Sequence, residues 1–127
     1  MADEDVRYTQ AHTWMREEGG EFFCGVTQYA ADKMGDVIFV ELPEAGASVS
    51  AGDPYGSLES AKAVEDLIAP LSGKVLRVNE ALVDAPEVTN QDPYGEGWMI
   101  VVSPVGEVDY DATLSAEQYE EYTKTLS

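Results

Sequence analysis

The feature that most constrains the fold is an internal repeat of a β-type pattern. The segment GDVIFV at 35–40 resembles GKVLRV at 73–78, and DPYG at 53–56 recurs at 92–95. The nearly equal offsets indicate a duplicated unit made of a strand, a polar loop, an Asp-Pro turn and a second strand. Two such units would pack face to face as a sandwich or a flattened barrel. A chance echo is the alternative for matches this short.

A hairpin and a short helix are predicted before the repeat. The stretches 14–17 and 21–26 are separated by Glu18-Gly19-Gly20, which favours a β-hairpin with a glycine turn. Thr27 is a good helix N-cap, and Gly35 suits a left-handed helix end. We therefore predict a helix of about two turns over 28–34.

A second helix is predicted at the C-terminus. Ser115 and Gln118 have the spacing of a capping box, so the helix should cover about 115–126. Its apolar stripe would consist of Tyr119, Tyr122 and Leu126.

The length of 127 residues predicts a single domain over 1–127 with its core at about 8–103. No run of 18 apolar residues occurs, so no membrane-spanning helix is expected. The acidic segment 1–5 lacks the basic and apolar parts of a targeting signal. We therefore expect a monomeric, cytoplasmic protein.

The charge balance excludes one class of partner. The chain has 25 acidic residues against 7 Lys and Arg, and its net charge is −18. Nucleic-acid binding requires clustered basic side chains, which are absent from this sequence. A charge excess of this size repels itself and favours adaptation to a salt-rich cytosol, where ions screen the repulsion.

Little in the sequence supports catalysis or metal binding. His12 is the single histidine and Cys24 the single cysteine, so His-rich and multi-Cys metal sites are excluded and a catalytic triad is disfavoured. Cys24 lies in an apolar run and is predicted to be a buried, inert thiol. The phosphate-binding glycine motifs and the nucleophile elbow are absent. We predict no catalytic residue.

Lys62 stands out in this acidic chain, which has only four lysines. It lies between Ala61 and Ala63 at a predicted hairpin tip, where another protein could reach it. A catalytic lysine requires burial, whereas nearby acidic side chains such as Glu59 favour the charged ammonium. An external enzyme could still acylate Lys62 and so attach a swinging cofactor. An ordinary surface lysine is the alternative that this context leaves open.

A family resemblance covers nearly the whole chain, from about Tyr8 to the C-terminal helix. The residues that carry it are Val40-Glu41-Leu42-Pro43, Gly46, Val49, Leu58-Glu59-Ser60-Ala61-Lys62-Ala63, Pro70, Ser72-Gly73, Val78-Asn79, Leu82, Pro86, Asn90, Pro93-Tyr94 and Gly97-Trp98. In their order and spacing, the chain resembles the H-protein family of the glycine cleavage system. The resemblance implies a mainly β, lipoyl-type barrel-sandwich hybrid of two sheets.

The resemblance also implies a function. Lys62 would carry lipoic acid in amide linkage, within the motif Glu59, Ser60, Ala61 and Ala63. A lipoate-attachment enzyme would load it. The carrier would collect an aminomethyl group from a PLP-dependent glycine decarboxylase and pass it to a tetrahydrofolate-dependent aminomethyltransferase. Dihydrolipoamide dehydrogenase would then reoxidise the arm.

A cleft that shelters the loaded arm is implied as well. By resemblance its lining includes Thr13, Val26, Lys33, Met34, Ala63 and Asp66. Thr13 stands where the family often has glutamate, and Lys33 where it often has histidine. Ala61 replaces the usual valine of the attachment motif.

Other functions are weighed against this one. Biotinyl carriers share the architecture but usually flank the lysine with methionines, whereas Lys62 is flanked by alanines. An H-like relay that donates lipoate to other complexes would have the same motif. A stand-alone enzyme would have to use its carboxylates and to turn over without partners. A purely structural acidic module would not explain the residues around Lys62.

Overall fold

The computed structural model describes residues 6–126 as two antiparallel sheets with short helices around them. The acidic segment 1–5 lies outside the described residues. The mainly β, two-sheet fold predicted from the sequence is confirmed. The strands are β1 (Val6–Tyr8), β2 (Thr13–Glu18), β3 (Glu21–Val26), β4 (Val37–Glu41), β5 (Ser48–Val49), β6 (Pro54–Ser60), β7 (Val64–Ile68), β8 (Gly73–Val78) and β9 (Ile100–Pro104).

One sheet has six strands in the order β1-β2-β3-β9-β8-β5, and the other has three in the order β4-β6-β7. The predicted hairpin is β2 and β3, whose register runs from Thr13↔Val26 to Glu18↔Glu21. Gly19 and Gly20 form its turn with positive φ angles, which glycine adopts without a steric penalty. The main core lies between the sheets and includes the fully buried Met99.

The predicted duplication appears in the sheets. The first unit pairs β4 with β6 and the second pairs β8 with β9, each in its own sheet. The register shifts between Val37 and Phe39 in the first unit, and between Val75 and Arg77 at the equivalent place in the second. An irregularity at equivalent positions is evidence for a structural repeat, because β-bulges are retained as features of a fold.

The Asp-Pro-Tyr-Gly part of the repeat prediction is wrong. Asp53 precedes β6, in which Pro54 and Tyr55 are strand residues. Asp92 instead ends a helix, and its Oδ2 accepts a hydrogen bond from Glu96 N at 2.9 Å. The same four residue types form different structures because tertiary surroundings override weak local preferences.

The helices are α1 (Gln28–Met34), α2 (Ala81–Asp84), α3 (Val88–Gln91) and α4 (Ala116–Lys124), with a 3₁₀ turn at Tyr110–Ala112. α1 begins as predicted, since Thr27 accepts a hydrogen bond from Ala30 N at its N-cap. Gly35 ends it with φ 79° and ψ −163°, so the predicted left-handed ψ was wrong. The sequence did not indicate α2 and α3.

The C-terminal helix has the predicted capping box between Ser115 and Gln118, in which each residue satisfies a backbone N–H of the other. α4 ends at Lys124, earlier than predicted, and Leu126 is exposed beyond it. The predicted apolar stripe is therefore wrong at Leu126. Tyr119 does pack into a second core cluster with Trp14 and Tyr8.

Within residues 6–126, every helix is too short or too polar to cross a membrane.

Candidate functional site

Lys62 lies at the tip of the β6–β7 hairpin. The strands pair up to Glu59↔Val64, and Ser60 N donates a hydrogen bond to Ala63 O at 2.9 Å. Ala61 and Lys62 are exposed in the two-residue loop that remains. Paired strands on both sides therefore fix the backbone from which the lysine side chain projects.

Ser60 holds the loop from inside. Its side chain is buried, and its Oγ accepts a hydrogen bond from Lys62 N at 3.3 Å. The neighbours of Lys62, Ala61 and Ala63, are too small to cover its amine. The loop thus combines a buried hydroxyl that orders the turn with methyl groups that leave the tip accessible. Glu59 is exposed next to them.

The end of α1 lies against the lysine side chain. A Cβ atom on Gly35 would come within 3.4 Å of Lys62 Cε and 3.9 Å of Nζ. Distances of that size are ordinary van der Waals contacts, so the lysine stem lies next to the point where the chain turns from α1 into β4. The positive φ of 79° is the reason for glycine at this position.

Asn90 of α3 connects α1 to β4. Its Nδ2 donates hydrogen bonds to Ala31 O at 3.2 Å and to Gly35 O at 2.8 Å. Its Oδ1 accepts one from Val37 N at 2.9 Å. A single side chain thus holds the backbone on both sides of the turn that lies against Lys62.

A cleft of about 280 Å³ opens between α1 and the hairpin that bears Lys62. The structure brings all six residues that the resemblance named together around it: Thr13, Val26, Lys33, Met34, Ala63 and Asp66. Seven further residues line it: Ala11, His12, Tyr29, Ala30, Leu58, Glu65 and Leu67. A sequence signal existed for Tyr29 and Ala30, because each lies four positions before a residue that the resemblance named, Lys33 and Met34 respectively, on one helix face.

His12 forms one wall of the cleft, although the sequence analysis did not place it there. It is a non-glycine residue with positive φ, 68°, a region in which histidine is enriched. Its Nδ1 is hydrogen-bonded to Tyr119 Oη at 2.7 Å, and its ring lies 4.8 Å from that of Tyr29. Burial lowers the pKa of His12, while Glu65 opposes this effect. Burial therefore favours the neutral ring at this wall.

Tyr119 extends this contact to the start of α1. Its hydroxyl is also within 2.7 Å of Thr27 Oγ1, so the side chain joins the C-terminal helix to the residue that caps α1. Burial raises the pKa of Tyr119, and its hydroxyl therefore stays protonated at neutral pH.

Charges of both signs surround an apolar centre in the cleft. Lys33 of α1 and the hairpin residues Glu65 and Asp66 are exposed at its edges. Val26 and Met34 are buried at its base. Such a lining can receive a flexible chain that is apolar along its length and charged at its end.

Other reactive groups lie away from this site. Cys24 is fully buried, as the sequence predicted, and burial raises the pKa of its thiol. Among residues 6–126, no group of three His, Cys, Asp or Glu side chains could hold a metal ion.

Comparisons with known proteins all identify the same family. The family model described as "Glycine cleavage H-protein" matches residues 6–126. The chain is 50% identical over 121 residues to the glycine cleavage system H protein of Geobacillus sp. (strain WCH70), covering 95% of each chain. It is 52% identical over 117 residues to that of Geobacillus kaustophilus (strain HTA426), covering 92% of each.

A solved structure gives the same result. The crystal structure of a glycine cleavage system H protein from Mycobacterium marinum superposes with a TM-score of 0.85 at 42% sequence identity. The match covers 95% of this chain and 98% of that one.

Proposed function

The chain belongs to the glycine cleavage H-protein family, and we propose that it carries lipoic acid in amide linkage on Lys62 for the glycine cleavage system. The observation that carries this proposal is the exposed lysine in a two-residue loop between paired strands. Such a loop gives a visiting enzyme access to the amine, and the strands give the attached arm a rigid base.

The residues around Lys62 fit a lipoyl group. Ala61 and Ala63 leave the amine uncovered, and the cleft between α1 and the hairpin offers about 280 Å³. The attached dithiolane would supply a disulfide that accepts an aminomethyl group and leaves a dithiol to be reoxidised. The protein itself would act as a non-catalytic carrier, since Lys62 serves only as the point of attachment.

The partners follow from that chemistry. A PLP-dependent glycine decarboxylase would load the arm, a tetrahydrofolate-dependent aminomethyltransferase would unload it, and dihydrolipoamide dehydrogenase would reoxidise it. A lipoate-attachment enzyme would act first. We propose that the carrier serves these enzymes as a monomer in the cytoplasm.

The cleft would shelter the loaded arm between transfers. Val26, Met34 and Ala63 provide apolar contacts, whereas Lys33 and Asp66 offer charges at its edges. Thr13 is buried beside them. Its side chain is smaller than the glutamate that the family often has at this position. Excluding water from the arm would slow loss of its cargo.

The test of attachment is intact mass after co-expression with a lipoate-attachment system. The wild type should gain one lipoyl group, and Lys62→Arg should gain none, since an arginine guanidinium is not an acyl acceptor. Lys74→Arg is the matched control, because Lys74 is also exposed but lies on β8. Modification that persists in Lys62→Arg would refute the assignment of this lysine.

The test of the role is glycine-dependent release of carbon dioxide with the lipoylated chain and the purified partner enzymes. Activity with wild type and none with Lys62→Arg is the expected result. A lipoylated chain that supports no glycine cleavage but donates lipoate to other complexes would favour the relay function instead.

A further inference from the structure

A patch of exposed apolar side chains lies beside Lys62. It consists of Ile38, Phe39 and Val64, which are 56%, 50% and 64% exposed; we call it the tip patch. Large apolar side chains at such exposure are informative when they cluster, because clusters on a monomer's surface mark interaction sites.

The strand register makes the tip patch continuous with the attachment point. Phe39 of β4 pairs with Glu59 of β6, and Glu59 pairs with Val64 of β7. Directly paired residues share a face, with Cβ atoms about 5 Å apart. Phe39, Glu59 and Val64 therefore form one row across the three-stranded sheet, and Val64 is only two residues from Lys62.

The structural repeat shows that the fold does not require an apolar residue here. Arg77 of β8 occupies the position equivalent to Phe39, directly after the same register shift. Arg77 lies 3.3 Å from a carboxylate oxygen of Glu21, and its guanidinium lies 5.8 Å from the ring centroid of Phe23. A charged residue thus suits this position in one unit, whereas the unit that bears Lys62 exposes a phenylalanine.

Exposed acidic side chains lie within and beside the tip patch. Glu59 lies in the same row as Phe39 and Val64, Glu41 follows Phe39 by two positions on the same strand face, and Asp36 directly precedes β4; all three are exposed. A partner that covers the patch must therefore place basic groups around an apolar centre, because complementary charge steers association and prevents repulsion.

We propose that the tip patch is the docking surface for the enzyme that acylates Lys62, a partner with an apolar centre and a basic rim. This inference rests on the proposed attachment of lipoic acid to Lys62. The acylating enzyme acts on the lysine before any arm exists, so its surface must approach the loop itself. The partners that use the finished arm meet its far end and can bind at a greater distance from the loop.

The reaction at this surface is an acyl transfer from a lipoyl adenylate. Lys62 Nζ, in its unprotonated form, attacks the acyl carbon, and an amide bond forms as the bond between that carbon and the phosphate oxygen breaks. Adenosine monophosphate leaves with the electron pair, and Nζ releases a proton to solvent. The transfer requires the docked enzyme to bring the adenylate within bonding distance of the tip.

The experiment measures kcat/KM for lipoylation of the full chain by a purified lipoate-attachment enzyme supplied with lipoyl adenylate. The variants are Phe39→Thr, Val64→Thr and the double variant. Val105→Thr is the matched control, because Val105 is 71% exposed but follows β9 in the other sheet. We expect the double variant to lose about tenfold in kcat/KM, mainly through KM, as for exposed apolar anchors of an interface. The control should match wild type.

Added KCl should lower kcat/KM for the wild type, since salt screens attraction between the acidic rim and basic groups. Equal kcat/KM for the double variant and the wild type would overturn the proposal, and so would a rate independent of salt. Slower glycine cleavage by already lipoylated variants, with attachment unchanged, would assign the patch to another partner and overturn it too. If the wild type formed a dimer and the variants were monomeric, the patch would be a self-association surface, and the proposal would also be overturned.

If Lys62 were not the lipoylation site at all, the experiment would give a different result from a failure of the docking proposal. In that case the wild type and Val105→Thr would also remain unmodified, with no lipoyl mass on Lys62. Thermal unfolding of each variant separates docking from misfolding, because substitutions of exposed residues should leave stability nearly unchanged.

Discussion

Gly35 places the end of α1 next to the Lys62 side chain. The sequence marked Gly35 as a helix end, and the structure adds that Lys62 Cε lies 3.4 Å from where a Cβ of residue 35 would be. That contact joins residues 27 positions apart (62 − 35), on different elements. A local pattern explains why glycine ends the helix, but only the folded chain explains why a lysine stem passes over it.

His12 makes the stability of the protein depend on pH. Burial lowers its pKa in the folded state, with Glu65 opposing the shift. The unfolded chain therefore binds the proton at a higher pH than the folded chain does. The contribution of neutral His12 to stability is present above the unfolded pKa of about 6.5 and is lost as pH falls toward the folded value.

We predict that the stability difference between wild type and His12→Asn becomes smaller, or reverses, between pH 7.5 and pH 5.5, both chosen to bracket a pKa of about 6.5. Asparagine tolerates the positive φ of His12 but does not titrate, so the variant isolates the imidazole. Urea unfolding at both pH values measures the effect. A difference that grows at the lower pH would contradict the sign of the shift.

At the scale of elements, α1 is held in place by a side chain from α3. Asn90 donates to Ala31 O and Gly35 O and accepts from Val37 N, so it fixes the passage from α1 to β4. The sequence resemblance included Asn90 without giving it a role. Three hydrogen bonds to backbone groups of one turn supply that role.

We predict that Asn90→Ala lowers the free energy of unfolding by about 2–3 kcal/mol, since it leaves partly buried backbone groups without partners. Gln91→Ala is the control, because Gln91 is exposed on the same helix. Chemical denaturation of both variants measures the difference. A loss in Asn90→Ala no larger than in Gln91→Ala would show that water replaces the amide.

At the scale of the whole molecule, repulsion between carboxylates is poorly compensated. The net charge is −18, and within residues 6–126 three ion pairs form, all with at least one exposed partner: Arg16–Glu18, Arg77–Glu21 and Lys124–Glu121. Exposed pairs contribute about 0–1 kcal/mol each. The excess charge therefore remains a cost that salt can reduce.

We predict that the melting temperature rises with KCl between about 0.1 and 1 M, because the Debye length falls from about 10 to 3 Å over that range. A variant with four exposed carboxylates neutralised, at net charge −14 (−18 + 4), should show a smaller rise. The substitutions are Glu44→Gln, Glu87→Gln, Glu107→Gln and Glu117→Gln. A melting temperature that stays constant or falls with salt would refute adaptation to a salt-rich cytosol.

The sequence alone determined the features that depend on neighbouring residues. The Gly19-Gly20 turn, the Thr27 cap and the Ser115 capping box each involve side-chain and backbone groups within a few positions. Their energies are local, and so a pattern of residue types predicts them. The turn at Lys62 belongs to the same class.

Only the tertiary structure decided which distant residues meet. His12 and Tyr119 are 107 positions apart, and Asn90 reaches Gly35 across 55. Such contacts arise when strand order and packing bring separate segments together, and no local propensity encodes them. The chain thus specifies its turns, caps and exposed lysine residue by residue, whereas the cleft wall and the tip patch exist only because strands and helices that are distant in sequence are brought together.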